Sequence, residues 1–170
     1  MARRRVSLRE FQQDLVRRLN EAATADAPSA RLGVQVGPEV WLVRLEEASE
    51  VIPVPAIADV PLTRGWFRGL ANIRGNLFSV IDLSAFQGGE PTPQTPDARL
   101  LLVAERYHLN AALMVNRMLG LRNLQHFEPR PREGERAWEA GRFADKDGRV
   151  WRELSMTELV YSEEFLQAGL

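Results

Sequence analysis

The stretch that decides the fold is Trp66-Phe67-Arg68-Gly69-Leu70-Ala71-Asn72-Ile73-Arg74-Gly75-Asn76-Leu77-Phe78-Ser79-Val80-Ile81-Asp82-Leu83. Leu77 to Ile81 is an apolar run of strand length, and Asp82 stands before a short helical turn around Leu83 to Phe86. Between the apolar segments lies a polar one, Asn72 to Asn76. Asn and Gly in that place predict a turn that needs positive φ. Arg74 presents a cation beside that turn. The same pattern returns later. Trp138-x-x-Gly141 repeats Trp66-x-x-Gly69, and Gly148 followed by Val150-Trp151 repeats Gly75 followed by Leu77-Phe78. The offset is 72 residues at the Trp and 73 at the second Gly. Ile81, Leu83, Ser84 and Phe86 then match Leu154, Met156, Thr157 and Leu159. Each half reads as a turn glycine, a strand with an aromatic residue and a short helix. Two related units or a chance likeness between β-rich segments both explain this, and the repeat predicts two small related barrels sharing one core.

Outside these units the chain is also β-rich. Leu32, Val34 and Val36 alternate with Gly33 and Gln35, Gly37-Pro38 makes a turn, and Val40 to Leu45 follows as a second apolar run. Val51 to Val60 carries Pro53 and Pro55, which have no place in a central strand. Leu100 to Ala104 and Ala111 to Val115 read as a hairpin, Val150 to Leu154 as a late strand, and Thr157 to Leu166 as a closing helix. Gln87 to Ala98 and Glu128 to Arg136 read as loops. Before all of this, Ser7 and Glu10 form a capping box, and Leu8, Phe11, Leu15, Leu19 and Ala22 line one face of a helix to about Ala23. Residues 1–29 are therefore expected to be a helix and linker, and residues 30–170 the β domain. Strand–helix–strand alternation is missing, which argues against a Rossmann-like sheet.

The composition narrows the function. The chain has 170 residues, 45% hydrophobic and 26% charged, with a formal charge of −1. It has no cysteine, which excludes disulfide frameworks, thiol nucleophiles and iron–sulfur clusters. Its two histidines, His108 and His126, are too few for a His-rich metal site. Lys146 is the one lysine among 22 basic residues, yet the arginines are interspersed with 23 acids. A nucleic-acid-binding barrel would need an Arg-rich face with stacking aromatics, and this balance speaks against one. No GxSxG, HExxH, P-loop or GxGxxG pattern occurs. Asp145-Lys146-Asp147-Gly148 has the start of a calcium loop but lacks the later ligands, so it reads as a β-turn. No apolar stretch approaches the roughly 20 residues that a membrane helix needs, and cytoplasmic residence without membrane insertion is expected.

With these residues in place, the run from Trp66 to Leu83 resembles the signature of the CheW family of chemotaxis coupling proteins. Gly69, Asn72, Arg74, Gly75, Asp82 and Leu83 fall in its pattern. Glu50-Val51-Ile52-Pro53-Val54-Pro55 resembles the stretch before it. Met114 to Leu121 resembles a later strand, with Asn116 where an Asp is usual. Val60 to Thr63, Trp66-Phe67 and Gly148-x-x-Trp151, together with the N-terminal helix, look most like the branch serving type IV pilus chemosensory systems; a flagellar-type coupling protein is the alternative. The resemblance implies a mainly β fold of two intertwined five-stranded barrels, with an N-terminal amphipathic helix and a short C-terminal one. It implies no catalysis and no cofactor. The implied partners are the cytoplasmic tip of a methyl-accepting chemotaxis receptor and the regulatory domain of a histidine kinase, in membrane-associated receptor arrays. Carried onto this chain, Arg74 is the coupling arginine, Glu50 its acidic partner, and Val51 and Ile52 the apolar edge toward the kinase. Gly69, Asn72 and Gly75 hold the turn. Read from the residues alone, Arg74 is either packed against a carboxylate such as Glu50 or part of a binding surface, and both can hold. Where the family has Leu-Asp near its end, this chain has Leu154-Ser155, which leaves the local turn open.

Overall fold

The computed structural model of the chain describes Gln13, Val16 and residues 29–170. The N-terminal helix expected over residues 7–23 otherwise lies outside the described residues. Gln13 and Val16, which fall off its apolar stripe, are helical and exposed.

Apolar residues build most of the strands, alternating with others at Leu32 to Val36 but unbroken at Val40 to Val43, Leu100 to Val103 and Ala111 to Val115. In chain order these are β1 (Ala30–Val36), β2 (Glu39–Arg44), β3 (Ala48–Pro53), β4 (Phe67–Ile73), β5 (Asn76–Asp82), β6 (Arg99–Val103), β7 (Ala111–Val115), β8 (Arg117–Asn123), β9 (Glu128–Arg130), β10 (Glu139–Ala144) and β11 (Val150–Leu154). Short helices α1 (Leu83–Phe86), α2 (Met156–Val160) and α3 (Glu163–Leu166) follow β5 and β11. The strands form a six-stranded sheet, β8-β1-β2-β11-β10-β9, and a five-stranded sheet, β3-β6-β7-β5-β4.

Apart from β9, the two orders correspond strand for strand. In each sheet a hairpin (β1–β2 or β6–β7) pairs antiparallel with a third strand (β8 or β3). On its other side it pairs in parallel with the second strand of another hairpin (β11 or β5). The hairpin that completes each sheet comes from the other half of the chain. β1–β2 sits with β8, β10 and β11, whereas β6–β7 sits with β3, β4 and β5. The halves therefore exchange a hairpin.

The repeated motif does the same local work twice. Trp66 and Trp138 each accept, on their backbone oxygen, the amide of the residue that caps the following helix: Asp82 at 2.8 Å and Ser155 at 2.7 Å. Each hairpin carries a register shift at its glycine, between Phe67 and Gly69 and between Glu139 and Gly141. Asp82 caps α1 through Ala85 N, and Ser155 caps α2 through Glu158 N. Serine thus keeps the turn that the missing Leu-Asp pair left open.

The expected barrels do not form. Neither sheet closes, and the architecture is two open mixed sheets of six and five strands. Closing the smaller sheet would pair β3 with β4. The chain between them contains Pro55 and Pro61, and β3 ends on Pro53. Proline offers no N–H to a ladder. Ala58 makes a single isolated bridge to β4, exchanging bonds of 2.8 and 2.9 Å with Leu70. In the larger sheet β8 and β9 are the free margins, and β9 is three residues long with Pro129 at its centre. Residues 128–130 were expected to be loop; they pair with β10 in spite of that proline. The closing helix is broken into α2 and α3, with Ser162 restarting it as a cap.

The main core lies between the sheets and includes Trp41, Val43, Leu101, Leu113, Leu154 and Phe165. Trp66, Phe86 and Trp138 meet within it at ring distances of 5.0 and 5.2 Å, so aromatics of both repeats share one cluster. A second core covers the other face of the five-stranded sheet around Leu100, Leu102 and Met114, and a third covers the other face of the six-stranded sheet around Leu42 and Trp151. β7 faces two cores, so all five of its residues are buried. That explains its unbroken apolar run.

Candidate partner-binding surface

β4 and β5 pair from Phe67–Ile81 to Ile73–Asn76, leaving Arg74 and Gly75 as a two-residue loop. Both have positive φ, +51° and +84°. That combination matches the twist of the flanking strands. Glycine accepts it at no steric cost, but arginine does not. Asn72 tightens the loop, its Oδ1 accepting the Gly75 amide at 2.9 Å. Farther down, Gly69 lies beside Ala58, and a Cβ there would overlap the Ala58 carbonyl.

Glu50 lies on β3, at the opposite margin of the same sheet. The Arg74 guanidinium Nη2 donates to Glu50 Oε2. The pair therefore spans the two free margins of the open sheet at the tip of the β4–β5 hairpin. Its side chains are 67% and 40% exposed. At that exposure it contributes about 0–1 kcal/mol to stability. Val51 and Ile52 follow Glu50 and are half-buried. They point to opposite faces, Val51 against the main core and Ile52 against the second. The sheet edge brings Glu50 and Arg74 into contact and places Val51 and Ile52 beside them.

One apolar residue of this surface escaped sequence reading. Leu77 is 59% exposed, one residue beyond the loop partner Asn76. The apolar run Leu77 to Ile81 carries no sign of that exposure. Its strand period puts Leu77, Ser79 and Ile81 on one face, but only the distal part of that face is covered.

Behind the surface, Asp82 is fully buried and accepts from the Thr92 amide at 2.6 Å, Thr92 Oγ1 at 2.7 Å and Arg68 Nη1 at 3.1 Å. It thereby ties the Gln87–Ala98 loop to the hairpin. Glu47, just ahead of β3, is also buried. Burial pushes its carboxyl above the ordinary range, while Arg44 and the Met156 amide pull the other way. Asn116, in place of the usual Asp, accepts the Gly37 amide at 2.7 Å. Among the described residues no group of His, Asp and Glu side chains is placed to hold a metal ion, and no helix is long and apolar enough to cross a membrane.

The family model described as the CheW-like domain matches residues 31–164. The chain belongs to the CheW-like domain family. It is 32% identical over 96 residues to Protein PilI of Pseudomonas aeruginosa, covering 56% of this chain and 52% of PilI. The match thus spans about half the length of that relative. The fold is similar to the scaffolding protein TtCheW from Thermoanaerobacter tengcongensis, with a TM-score of 0.64 over 75% of this chain and 88% of that chain, at 20% identity. CheW-like domains are non-catalytic adaptors, and residues 31–164 form one.

Proposed function

We propose that this CheW-like adaptor couples the cytoplasmic tip of a methyl-accepting chemotaxis receptor to the regulatory domain of a histidine kinase. The system is the pilus branch, controlling twitching motility, and the likeness to PilI supports that branch over the flagellar one. The protein works in the cytoplasm, recruited to receptor arrays at the membrane. Its partner surface comprises Arg74, Glu50, Val51 and Ile52, while Gly69, Asn72 and Gly75 hold the loop that presents Arg74.

The observation that carries this reading is the exposed Arg74–Glu50 pair on a left-handed arginine. Such strain persists where function selects it. A pair worth so little to stability is free to exchange partners, because a carboxylate on a docking protein replaces Glu50 at little cost. Contacts of this kind need only modest individual strength, since an array raises effective concentration.

A reconstituted kinase assay tests the proposal, with a receptor tip, the cognate kinase and this chain present or absent. Receptor control of autophosphorylation is expected only with the chain present, and Arg74→Ala is expected to abolish it. Kinase activity that ignores the chain refutes the coupling role.

A further inference from the structure

The main core is covered unevenly. Across the inner face of the six-stranded sheet, Val43, Leu32 and Leu121 are register neighbours on β2, β1 and β8. Directly paired residues point to the same face. Val43 is fully buried, Leu32 is half-buried against the main core, and Leu121 is 42% exposed. The face therefore opens toward the β8 margin. Among the described residues nothing closes it.

The chain arrives at this opening. Ala30 pairs with Asn123, and the Ser29 oxygen accepts the Leu124 amide at 2.8 Å. Leu32 lies two residues into β1, about 7 Å along the strand. Upstream, residues 24–28 belong to the segment whose sequence reads as a linker, and five residues reach about 17 Å when extended. Before it, Ser7 to Ala23 carry the stripe Leu8, Phe11, Leu15, Leu19 and Ala22. As a helix this segment is about 25 Å long. A one-sided apolar stripe must bury itself against something. By helical spacing Gln13, which is exposed, falls on the side opposite the stripe.

We propose that the Ser7–Ala23 segment folds back and lays its Leu8–Phe11–Leu15–Leu19 stripe over Leu32 and Leu121, closing the β8 margin of the main core. The reach of the linker and the point where β1 begins select this occupant. A second copy of the chain or a separate protein would have to compete with a segment tethered next to the opening.

The chain has no cysteine, so cross-linking starts from a clean background. In the full-length chain, Leu15→Cys combined with Leu121→Cys is expected to give an intramolecular disulfide in a monomer under mild oxidation. Gln13→Cys with Leu121→Cys is expected to give none. A disulfide-linked dimer from the first pair would assign the margin to a second copy, and no disulfide from it would leave the segment elsewhere. Either result overturns the proposal. As a second readout, Leu121→Asp is expected to speed amide exchange in residues 8–22 at least about tenfold, with β6 and β7 unchanged. Unchanged exchange in residues 8–22 also overturns it.

Discussion

The hairpins β4–β5 and β10–β11 share a plan and differ at the tip. In both, a tryptophan carbonyl receives the capping residue, a glycine shifts the register, and a short helix follows. The first tip turns outward, and Arg74 reaches across the sheet margin to Glu50. The second tip is exposed as well, but it bonds to its own hairpin. Asp145 accepts from the Asp147 and Arg149 amides at 2.9 Å and from Trp151 Nε1 at 3.0 Å. The caps diverge as well. Asp82 is buried and its side chain holds a distant loop, whereas the Ser155 side chain bonds only its own helix among the described residues. What the halves share builds the fold, and what they do not share marks where one half took on another task.

The largest contrast is expected at the caps. Asp82→Ala leaves Arg68 and Thr92 without their acceptor and should cost about 3–5 kcal/mol in urea unfolding. Ser155→Ala should cost about 1 kcal/mol. Equal costs would break the comparison. Next come the bulge glycines. Gly69 has φ +129° and no room for a Cβ beside Ala58, whereas a Cβ at Gly141 meets only the Phe143 ring at 3.3 Å. Gly69→Ala should therefore lose about 1–3 kcal/mol or more, and Gly141→Ala distinctly less, by the same measurement.

Smaller still is the effect at the outward tip. Arg74→Gly relieves left-handed strain of about 1–2 kcal/mol, which offsets the lost ion pair. It should match or exceed the wild-type melting temperature, while Arg74→Ala falls slightly below it. Both variants should fail in the kinase assay. A large drop in melting temperature for both would make Arg74 a structural residue. The smallest effect belongs to the tip of β10–β11. Hydrogen bonds from Trp151 and the loop amides hold the Asp145 carboxyl below the ordinary aspartate range. Its contribution is complete above the unfolded value of about 3.9 and disappears as pH falls through the lower folded value. Asp145→Asn should remove that part of the acid-induced loss of stability, measured by thermal melts between about pH 5 and 2.

The repeat could be read from Trp66, Gly69, Trp138 and Gly141, because each of these residues performs a local job. The partnership of the halves could not. Hairpin exchange depends on which strands meet in parallel, and Arg152 opposite Trp41 leaves no mark at either position. Sheet closure was misread for a similar reason. Pro53 and Pro55 announced an edge, but an edge is compatible with either a barrel seam or an open margin. β8 was reached only through the resemblance at Met114 to Leu121, because its register shifts near Gly120, which spoils the alternation. Thr92 lies in a segment rich in Gly and Pro, and nothing periodic there signals its bond to Asp82. The residues alone offered Glu50 as a partner for Arg74 but left packing and binding surface open, since 24 residues separate the two and only the folded sheet edge unites them.

Hairpin exchange also sets a timetable for synthesis. β1–β2 leaves the ribosome first, yet its neighbours β8 and β11 come after Arg117 and Val150. At about 5–20 residues per second the early hairpin waits roughly 4–15 s for β8 alone. The five-stranded sheet is complete once Val115 has emerged, ahead of the sheet whose strands began the chain. The nascent protein therefore carries an apolar hairpin with both edges bare for seconds, and during that interval a trigger-type chaperone or a neighbouring nascent chain competes for the strands that β8 and β11 will later occupy.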